Sequence, residues 1–230
     1  MKTQTKRLEQ GFTLIELLVV ITIIAILASA AVPTFNSVQD KANQSNTAGN
    51  ARQIITALRI YAGDNNGSYP DGDKSSGEEP ADSNDAFKLL IKGGVLDDER
   101  VFGAKASKYI PDNNIGTAPE YSEALEANEN HWAMTKGLTD SSSSVTPVVF
   151  ENPKDAAWPP KWDCDAAGKK MKGRAWRGGK IIVGFNDSSV QTIQLESAKG
   201  DSVGPKDLGS GKNWFTQAGD SLELLDIKGD

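Results

Sequence analysis

The amino-acid sequence predicts an α+β fold in which one long N-terminal helix packs on a small antiparallel β-sheet. Two observations predict the helix: an apolar run over residues 12–32, and an amphipathic stripe that continues to about residue 62. A third predicts the sheet, because short segments rich in β-branched residues alternate with turn residues in the second half of the chain.

The composition limits the classes of function. The chain has 230 residues, of which 38% are hydrophobic and 24% are charged, as in ordinary globular proteins. A net charge of −6 argues against a surface built throughout to hold nucleic acid. The single cysteine, Cys164, excludes an internal disulfide, and the single histidine, His131, excludes metal sites that need two histidines.

The N-terminal segment has the pattern of a membrane span. Lys2, Lys6 and Arg7 precede the apolar run over residues 12–32, which contains one ionisable side chain, Glu16. As a helix this run is roughly 31 Å long, about the thickness of a bilayer core. The basic residues before it predict a cytoplasmic N-terminus and an exported remainder of the chain. A carboxylate inside such a segment costs about 2.5 kcal/mol or more, so Glu16 should have a partner or a function.

Two interpretations of this segment are open. A secretory signal peptide would be cleaved at the small residues 28–30 and would release a soluble protein that begins at Ala31. The other interpretation rests on residues 11–16, Gly-Phe-Thr-Leu-Ile-Glu. This stretch closely resembles the cleavage and methylation site of type IV prepilins and of type II secretion pseudopilins.

The resemblance implies how the chain is processed and assembled. Residues 1–11 would be a leader peptide, cut after Gly11 by a prepilin peptidase, and Phe12 would become an N-methylated terminus. Glu16 would pair with the amine of Phe12 in a neighbouring subunit, which supplies the partner that its burial requires. Pro33 lies where many family members carry a proline.

The resemblance also implies partners and a location. The partners would be further copies of the chain in a filament, an inner-membrane assembly platform, and other pilins or pseudopilins. Residues 12–32 would cross the inner membrane once, with the rest of the chain in the periplasm. After assembly the protein would be part of a periplasmic or cell-surface filament.

The helical pattern continues beyond the apolar run. A helix over residues 12–62 would be roughly 75 Å long. Pro33 should bend this helix without ending it, and Gly63 before a polar turn marks its end. Residues 57–70 resemble the end of the first helix in major pseudopilins of type II secretion. We therefore expect a leader, this helix and a globular α+β head over residues 63–230.

The head is predicted from local signals. Asn84 is expected to cap a short helix, and residues 103–146 to form a loop with one helix near Glu120–Asn128. The C-terminal residues 212–227 should cover the sheet with apolar side chains. Three strands are expected, of which the last two form an antiparallel hairpin: residues 148–150, 180–185 and 190–195.

A basic segment is the main candidate for a binding surface. It has Trp176 among its charges and no acidic residue, and its cations are Lys169, Lys170, Lys172, Arg174, Arg177 and Lys180. Phosphates held by charge, with a base stacked on the tryptophan, would make it a patch for DNA. The other interpretation is a solvated face or a complement to the acidic surface of the next subunit, and nucleic acid is not the partner we expect.

No cofactor and no catalytic activity are expected. Two acidic groups offer oxygen ligands of the kind that calcium prefers, but neither fits the spaced calcium loop: Asp163 with Asp165, and Asp64, Asn66, Asp71 and Asp73. The resemblance implies calcium in the head, yet no ligand can be assigned to it. His131 has no nucleophile pattern near it, and neither a Gly-rich phosphate loop nor a nucleophile elbow occurs.

These observations predict a structural subunit of a type IV pilus-like or type II secretion pseudopilus filament. The alternative is a minor or tip pilin that binds DNA or a surface ligand through the basic segment. A third class, an exported enzyme or soluble binder, would need a catalytic constellation that the sequence does not contain.

Overall fold

The structure is a computed structural model that describes residues 12–71 and 79–229. Residues 30–34 are described by their backbone alone. The predicted leader, residues 1–11 with the cleavage residue Gly11, lies outside the described residues, as do Asp73 and the side chain of Pro33.

One helix, α1, runs from Leu14 to Asp64 and confirms the long helix that the sequence predicts. It continues through Pro33, where one backbone hydrogen bond is lost but the helical pattern persists on both sides. The chain divides into two compact units within this helix, one ending at Lys41 and the other beginning at Ala42. The second unit therefore holds the last part of α1 together with the predicted head.

In the first unit, the large apolar side chains of α1 are exposed. From Phe12 to Leu27 their exposed fractions lie between 45% and 88%. Within the described ranges, no helix combines the length and the hydropathy that a membrane crossing requires. The span predicted for residues 12–32 is thus not confirmed.

The described residues of the second unit add two helices and a five-stranded sheet to the end of α1. The helices are α2 (Ser83–Lys92) and α3 (Trp214–Ala218), and a 3-10 turn lies at Arg100–Phe102. The sheet has the order β4-β3-β2-β1-β5, with all neighbours antiparallel. Its strands are β1 (Trp132–Thr135), β2 (Pro147–Glu151), β3 (Lys180–Phe185), β4 (Val190–Gln194) and β5 (Leu224–Leu225).

The end of α1 packs on one face of this sheet. Ile55 and Leu58 of α1 are fully buried in one core with Val149 of β2 and Ile182 of β3. The contact is close at Gly184 of β3, where an added Cβ would overlap Cδ1 of Ile55. The predicted α+β architecture, a helix on an antiparallel sheet, is confirmed.

A second core covers the opposite face of the sheet. Phe150 is the neighbour of Val149, and Ile181 is the neighbour of Ile182, in strands whose successive side chains point to opposite faces. Because Val149 and Ile182 face α1, Phe150 and Ile181 point away from it. They pack with Trp162 and with Phe215 of α3, whose ring meets that of Phe150 edge-on at 5.1 Å between centroids. The strands β1 and β2 are therefore buried on both faces, whereas three of the five residues of the edge strand β4 are exposed.

The cap of α2 differs from the prediction. The side chain of Asp82 accepts a hydrogen bond from the backbone N–H of Asp85 at 2.9 Å, so Asp82 is the cap. Asn84 lies inside the helix instead, and its amide donates to the carbonyls of Leu125 and Glu126. Aspartate and asparagine cap helices about equally well, so only these tertiary contacts distinguish the two positions.

The helix predicted near Glu120–Asn128 is wrong, since this segment forms turns. Tyr121, Leu125 and Asn128 have φ angles of 45°, 51° and 72°, which a right-handed helix does not contain. The backbone N–H of Leu125 donates to the buried carboxylate of Glu99 at 2.8 Å, so a tertiary bond replaces a helical one. The segment predicted as loop also contains β1, whose polar–apolar alternation is missing because all four residues are buried.

Candidate assembly site and surrounding surfaces

The first turn of α1 joins Glu16 to Thr13 in a reciprocal pair. Thr13 donates to Oε2 of Glu16 from its backbone N–H at 2.9 Å and from its hydroxyl at 2.8 Å. The backbone N–H of Glu16 donates in return to Oγ1 of Thr13 at 3.2 Å. This is a capping box, which satisfies N–H groups that the first turn of a helix leaves without partners.

The pair orients an anion at the exposed start of an apolar helix. The helix N-terminus favours negative charge, so the position suits an ionised carboxylate. Both bonds from Thr13 end on Oε2, and Oε1 accepts none from the described residues. Glu16 can therefore accept a bond from a cationic donor of another molecule without losing its bond to Thr13.

The other predicted processing residues are placed only in part. Phe12 precedes α1 and is 74% exposed. Gly11 lies outside the described residues, and of Pro33 only the helical backbone is described. The sequence reasoning missed Thr13, although Thr-x-x-Glu before an apolar run is the pattern of a capping box.

The six basic residues of the predicted patch do not form one surface. Lys172 is half-buried and pairs with Asp226, with 2.6 Å between Nζ and Oδ2. Arg174 is 3% exposed and points into the head. Four of the six are exposed: Lys169, Lys170, Arg177 and Lys180.

The tryptophan of this segment is also buried. Trp176 is 2% exposed, and its indole N–H donates to the carboxylate of Glu151 at 2.8 Å. The guanidinium of Arg174 lies over its ring, 4.3 Å from the centroid. Trp176 is thus not available to stack on a nucleic-acid base, so the patch keeps its exposed charges only.

A buried hydrogen-bond network surrounds His131. Its Nε2 lies 3.0 Å from Oε1 of Glu151, and its Nδ1 lies 3.0 Å from Oγ of Ser107 and from Nδ2 of Asn152. Because the amide nitrogen of Asn152 can only donate, Nδ1 is an acceptor and Nε2 carries the proton. Burial lowers the pKa of His131, although the hydrogen bond and the charge of Glu151 oppose this effect.

The same network has the composition of a serine–histidine–acid triad but not its accessibility. Ser107, His131 and Glu151 are each 1% exposed. A nucleophile must reach its substrate, so these three residues have a structural role. The sequence did not reveal the group, because its members come from three separate segments.

A cluster of carboxylates lies at the loop that was predicted as a helix. Oxygens of Glu99, Asp112 and Glu129 are within 4.8 Å of one another. Glu99 is fully buried and accepts bonds from the backbone N–H groups of Asn113 and Leu125, both at 2.8 Å. Burial raises the pKa of Glu99 and that of Glu129. Oxygen ligands of this kind suit hard cations. The acidic residues that the sequence singled out are not members of this group.

Comparison with known proteins finds similarity over part of the chain. Residues 6–32 match the family model described as the prokaryotic N-terminal methylation motif. The chain is 43% identical over 65 residues to type II secretion system core protein G of Aeromonas hydrophila, which covers 28% of this chain and 45% of the relative. It is 42% identical over 60 residues to the protein of the same name from Pseudomonas aeruginosa, covering 26% of this chain and 42% of the relative.

A pilus protein is also similar to part of the chain. The type IV narrow pilus major component of Thermus thermophilus is 49% identical over 51 residues, which cover 22% of this chain and 44% of the relative. The chain thus spans less than half the length of each of these three relatives. No solved structure matches the chain. The chain thus resembles type IV pilins and type II secretion pseudopilins, through its methylation motif and through relatives that match 22% to 28% of its length.

Proposed function

We propose that the protein is a structural subunit of a type IV pilus-like or type II secretion pseudopilus filament. The observation that carries the proposal is the exposed apolar part of α1, which begins at an oriented glutamate. From Phe12 to Leu27, no large apolar side chain is less than 45% exposed. Such a surface is not stable in water and needs either lipid or the same helix of neighbouring copies.

Processing by a prepilin peptidase is part of the proposal. Cleavage after Gly11 would leave Phe12 as the terminus that is then methylated. The carboxylate of Glu16 would accept a bond from the amine of Phe12 in the neighbouring copy. This pairing would offset the cost of placing both charges in apolar surroundings. The methylation motif at residues 6–32 supports this step.

The proposed location follows from the same segment. Residues 12–32 would hold the subunit in the inner membrane, with the N-terminus in the cytoplasm and the head in the periplasm. An assembly platform would extract the subunit, and bundled helices of neighbouring copies would then replace lipid around α1. We also propose Pro33 as an assembly residue, because it lies at the end of the apolar segment. The relatives named for type II secretion and for type IV pili support assembly with other pilins.

The first test is the intact mass of the protein recovered from its own cells. We expect a chain that begins at Phe12 and is heavier by one methyl group. A chain that begins at Ala31 would instead identify a soluble exported protein and would contradict the proposal.

The second test measures filament yield. Glu16→Ala should leave cleavage intact and reduce the amount of protein in filaments by about tenfold, because a buried amine then lacks its partner. Glu196→Ala is the matched control, since Glu196 is an exposed head carboxylate. A normal yield from Glu16→Ala would remove the proposed amine pairing.

A second candidate function is a minor or tip pilin that binds DNA. The observation that favours it is the exposure of Lys169, Lys170, Arg177 and Lys180. Replacement of these four by glutamine should abolish DNA retention, which in the unsubstituted chain should weaken as the salt concentration rises. Retention that does not change would exclude this candidate.

A further inference from the structure

The outer side of α1 in the second unit carries a groove. Two cavities of about 660 and 540 Å³ open on it, and both are lined by Gly49 and Gln53. The first is walled by residues 103–111, and the second by Val95 and Leu96. We call this continuous surface, along residues 45–60, the α1 groove.

The floor of the α1 groove contains a glycine that its own chain does not require. Gly49 lies in the interior of α1, where glycine destabilises a helix relative to alanine. No heavy atom lies within 4 Å of a Cβ built on Gly49. The absence of a side chain at this position is therefore not needed for any close contact inside the subunit. The space it leaves is available to a group from another molecule.

The rims of the groove are apolar and positively charged. Ile60 and Ile110 line it with 53% and 51% of their surface exposed. Arg52 and Lys105 are exposed beside them, and neither forms an ion pair with a described residue. On a chain of net charge −6, these cations favour an acidic partner.

The same chain carries a surface of that chemistry. We call residues 112–129 the acidic loop, since the longer stretch 109–135 has no Lys or Arg and the loop holds five carboxylates. Repulsion is evident at Glu129 of this loop, whose pKa is raised by burial and also by the charges of Glu99, outside the loop, and of Asp112 within it. Four carboxylates of the loop are exposed: Asp112, Glu120, Glu123 and Glu126.

We propose that the acidic loop of one copy docks in the α1 groove of the next, where its exposed carboxylates face Arg52 and Lys105. This inference rests on the proposed function, and it specifies which surfaces of neighbouring subunits are in contact in the filament. The groove and the loop are different surfaces of one chain. A contact between them is therefore heterologous and repeats from copy to copy, as a filament requires.

Mixed cross-linking tests the contact directly. Two full-length forms with different tags, Gln53→Cys and Glu123→Cys, are expressed together, and the isolated filaments are oxidised. We expect cross-linked pairs that contain both tags, and none from either form alone. The unsubstituted chain is the control for Cys164, which is 4% exposed.

Charge exchange tests the electrostatic part. Arg52→Glu with Lys105→Glu should lower filament yield about tenfold, since like charges then face each other. Changing Glu120, Glu123 and Glu126 to Lys should have the same effect, and combining both sets should restore most of the yield. Lys199→Glu with Lys212→Glu reverses two exposed cations outside both the groove and the basic segment and should leave the yield unchanged.

The glycine is tested inside the same helix. Gly49→Leu should lower filament yield because it fills the groove. Gly63→Leu should not, although Gly63 also has no heavy atom within 4 Å of a built Cβ.

The outcomes separate the two proposals. An unsubstituted chain that forms no filament would overturn the proposed function. Filaments that form normally, but without mixed cross-links or without rescue by charge exchange, would overturn the docking contact and leave the filament subunit intact.

Discussion

Removal of the Glu151 carboxylate tests whether the buried network holds the head together. Glu151 accepts hydrogen bonds from Nε2 of His131 at 3.0 Å, from the indole N–H of Trp176 at 2.8 Å, and from the backbone N–H of Ile182 at 2.8 Å. Glu151→Ala would leave three buried N–H groups without an acceptor. Each orphaned donor costs about 1–3 kcal/mol, and because the surroundings relax we expect a total loss of about 3–5 kcal/mol in the free energy of unfolding.

A more conservative change should give a smaller loss. Glu151→Gln keeps the shape of the side chain and one oxygen, but its NH₂ group must face at least one of the three N–H donors. We expect a loss of about 2 kcal/mol, the cost of one unmade bond to a buried donor.

Chemical denaturation of the full-length protein in detergent measures both losses. Tryptophan fluorescence is a suitable signal, because Trp132, Trp162 and Trp176 are all at most 2% exposed and become solvated on unfolding. Glu196→Ala is the control, and as a change at an exposed carboxylate it should alter stability by less than about 0.5 kcal/mol. If Glu151→Ala costs no more than this control, the network does not support the head and the reasoning is wrong.

Asp71, Gly179 and Thr13 each offer a further test. Burial raises the pKa of Asp71 to about 6 from 3.8, so the folded chain binds this proton more tightly than the unfolded chain does. The stability that results from this difference is present at low pH and is lost as the pH rises from about 4 to 6. Asp71→Asn should therefore raise the free energy of unfolding at pH 7 by about 1–3 kcal/mol relative to its effect at pH 3. Chemical denaturation at both pH values measures this difference. A loss of stability that occurs only at pH 7 would contradict the prediction. Gly179 has φ 67° and an added Cβ would overlap a backbone carbonyl oxygen, whereas Gly178 has φ 84° and open space. Alanine at Gly179 should cost about 3 kcal/mol or more and at Gly178 about 1 kcal/mol, so equal losses in thermal denaturation would argue against the overlap. Thr13→Val should lower filament yield because it removes the hydroxyl that orients Glu16, while Thr13→Ser should retain the yield; a yield as low from serine as from valine would show that the hydroxyl is not what matters.

Elements with strong local signals were predicted closely from the sequence. The helix was expected over residues 12–62 and is found at Leu14–Asp64, because its apolar spacing and its terminal turn lie within the segment itself. The hairpin of β3 and β4 was expected for the same reason, since two β-branched runs flank a short polar turn. The family motif at residues 11–16 is also local, and its recognition needed no tertiary information.

The weaker predictions failed where contacts between distant segments decide the structure. The turns near Leu125 depend on the carboxylate of Glu99, which lies 26 residues earlier in the chain. Arg174 and Trp176 look like an exposed basic and aromatic pattern in the sequence, yet both are buried, with Trp176 bonded to Glu151 and Arg174 lying over the tryptophan ring. Nothing in the spacing of either segment specifies these contacts.

The sequence by itself thus determined the long helix, the hairpin and the match to the methylation motif, because each depends on residues within one short segment. The tertiary structure decided which charges remain exposed, brought Glu99, Asp112 and Glu129 together, and formed the α1 groove. The physical reason is that burial depends on which segments pack against each other. A side chain pattern read along one segment does not contain that information.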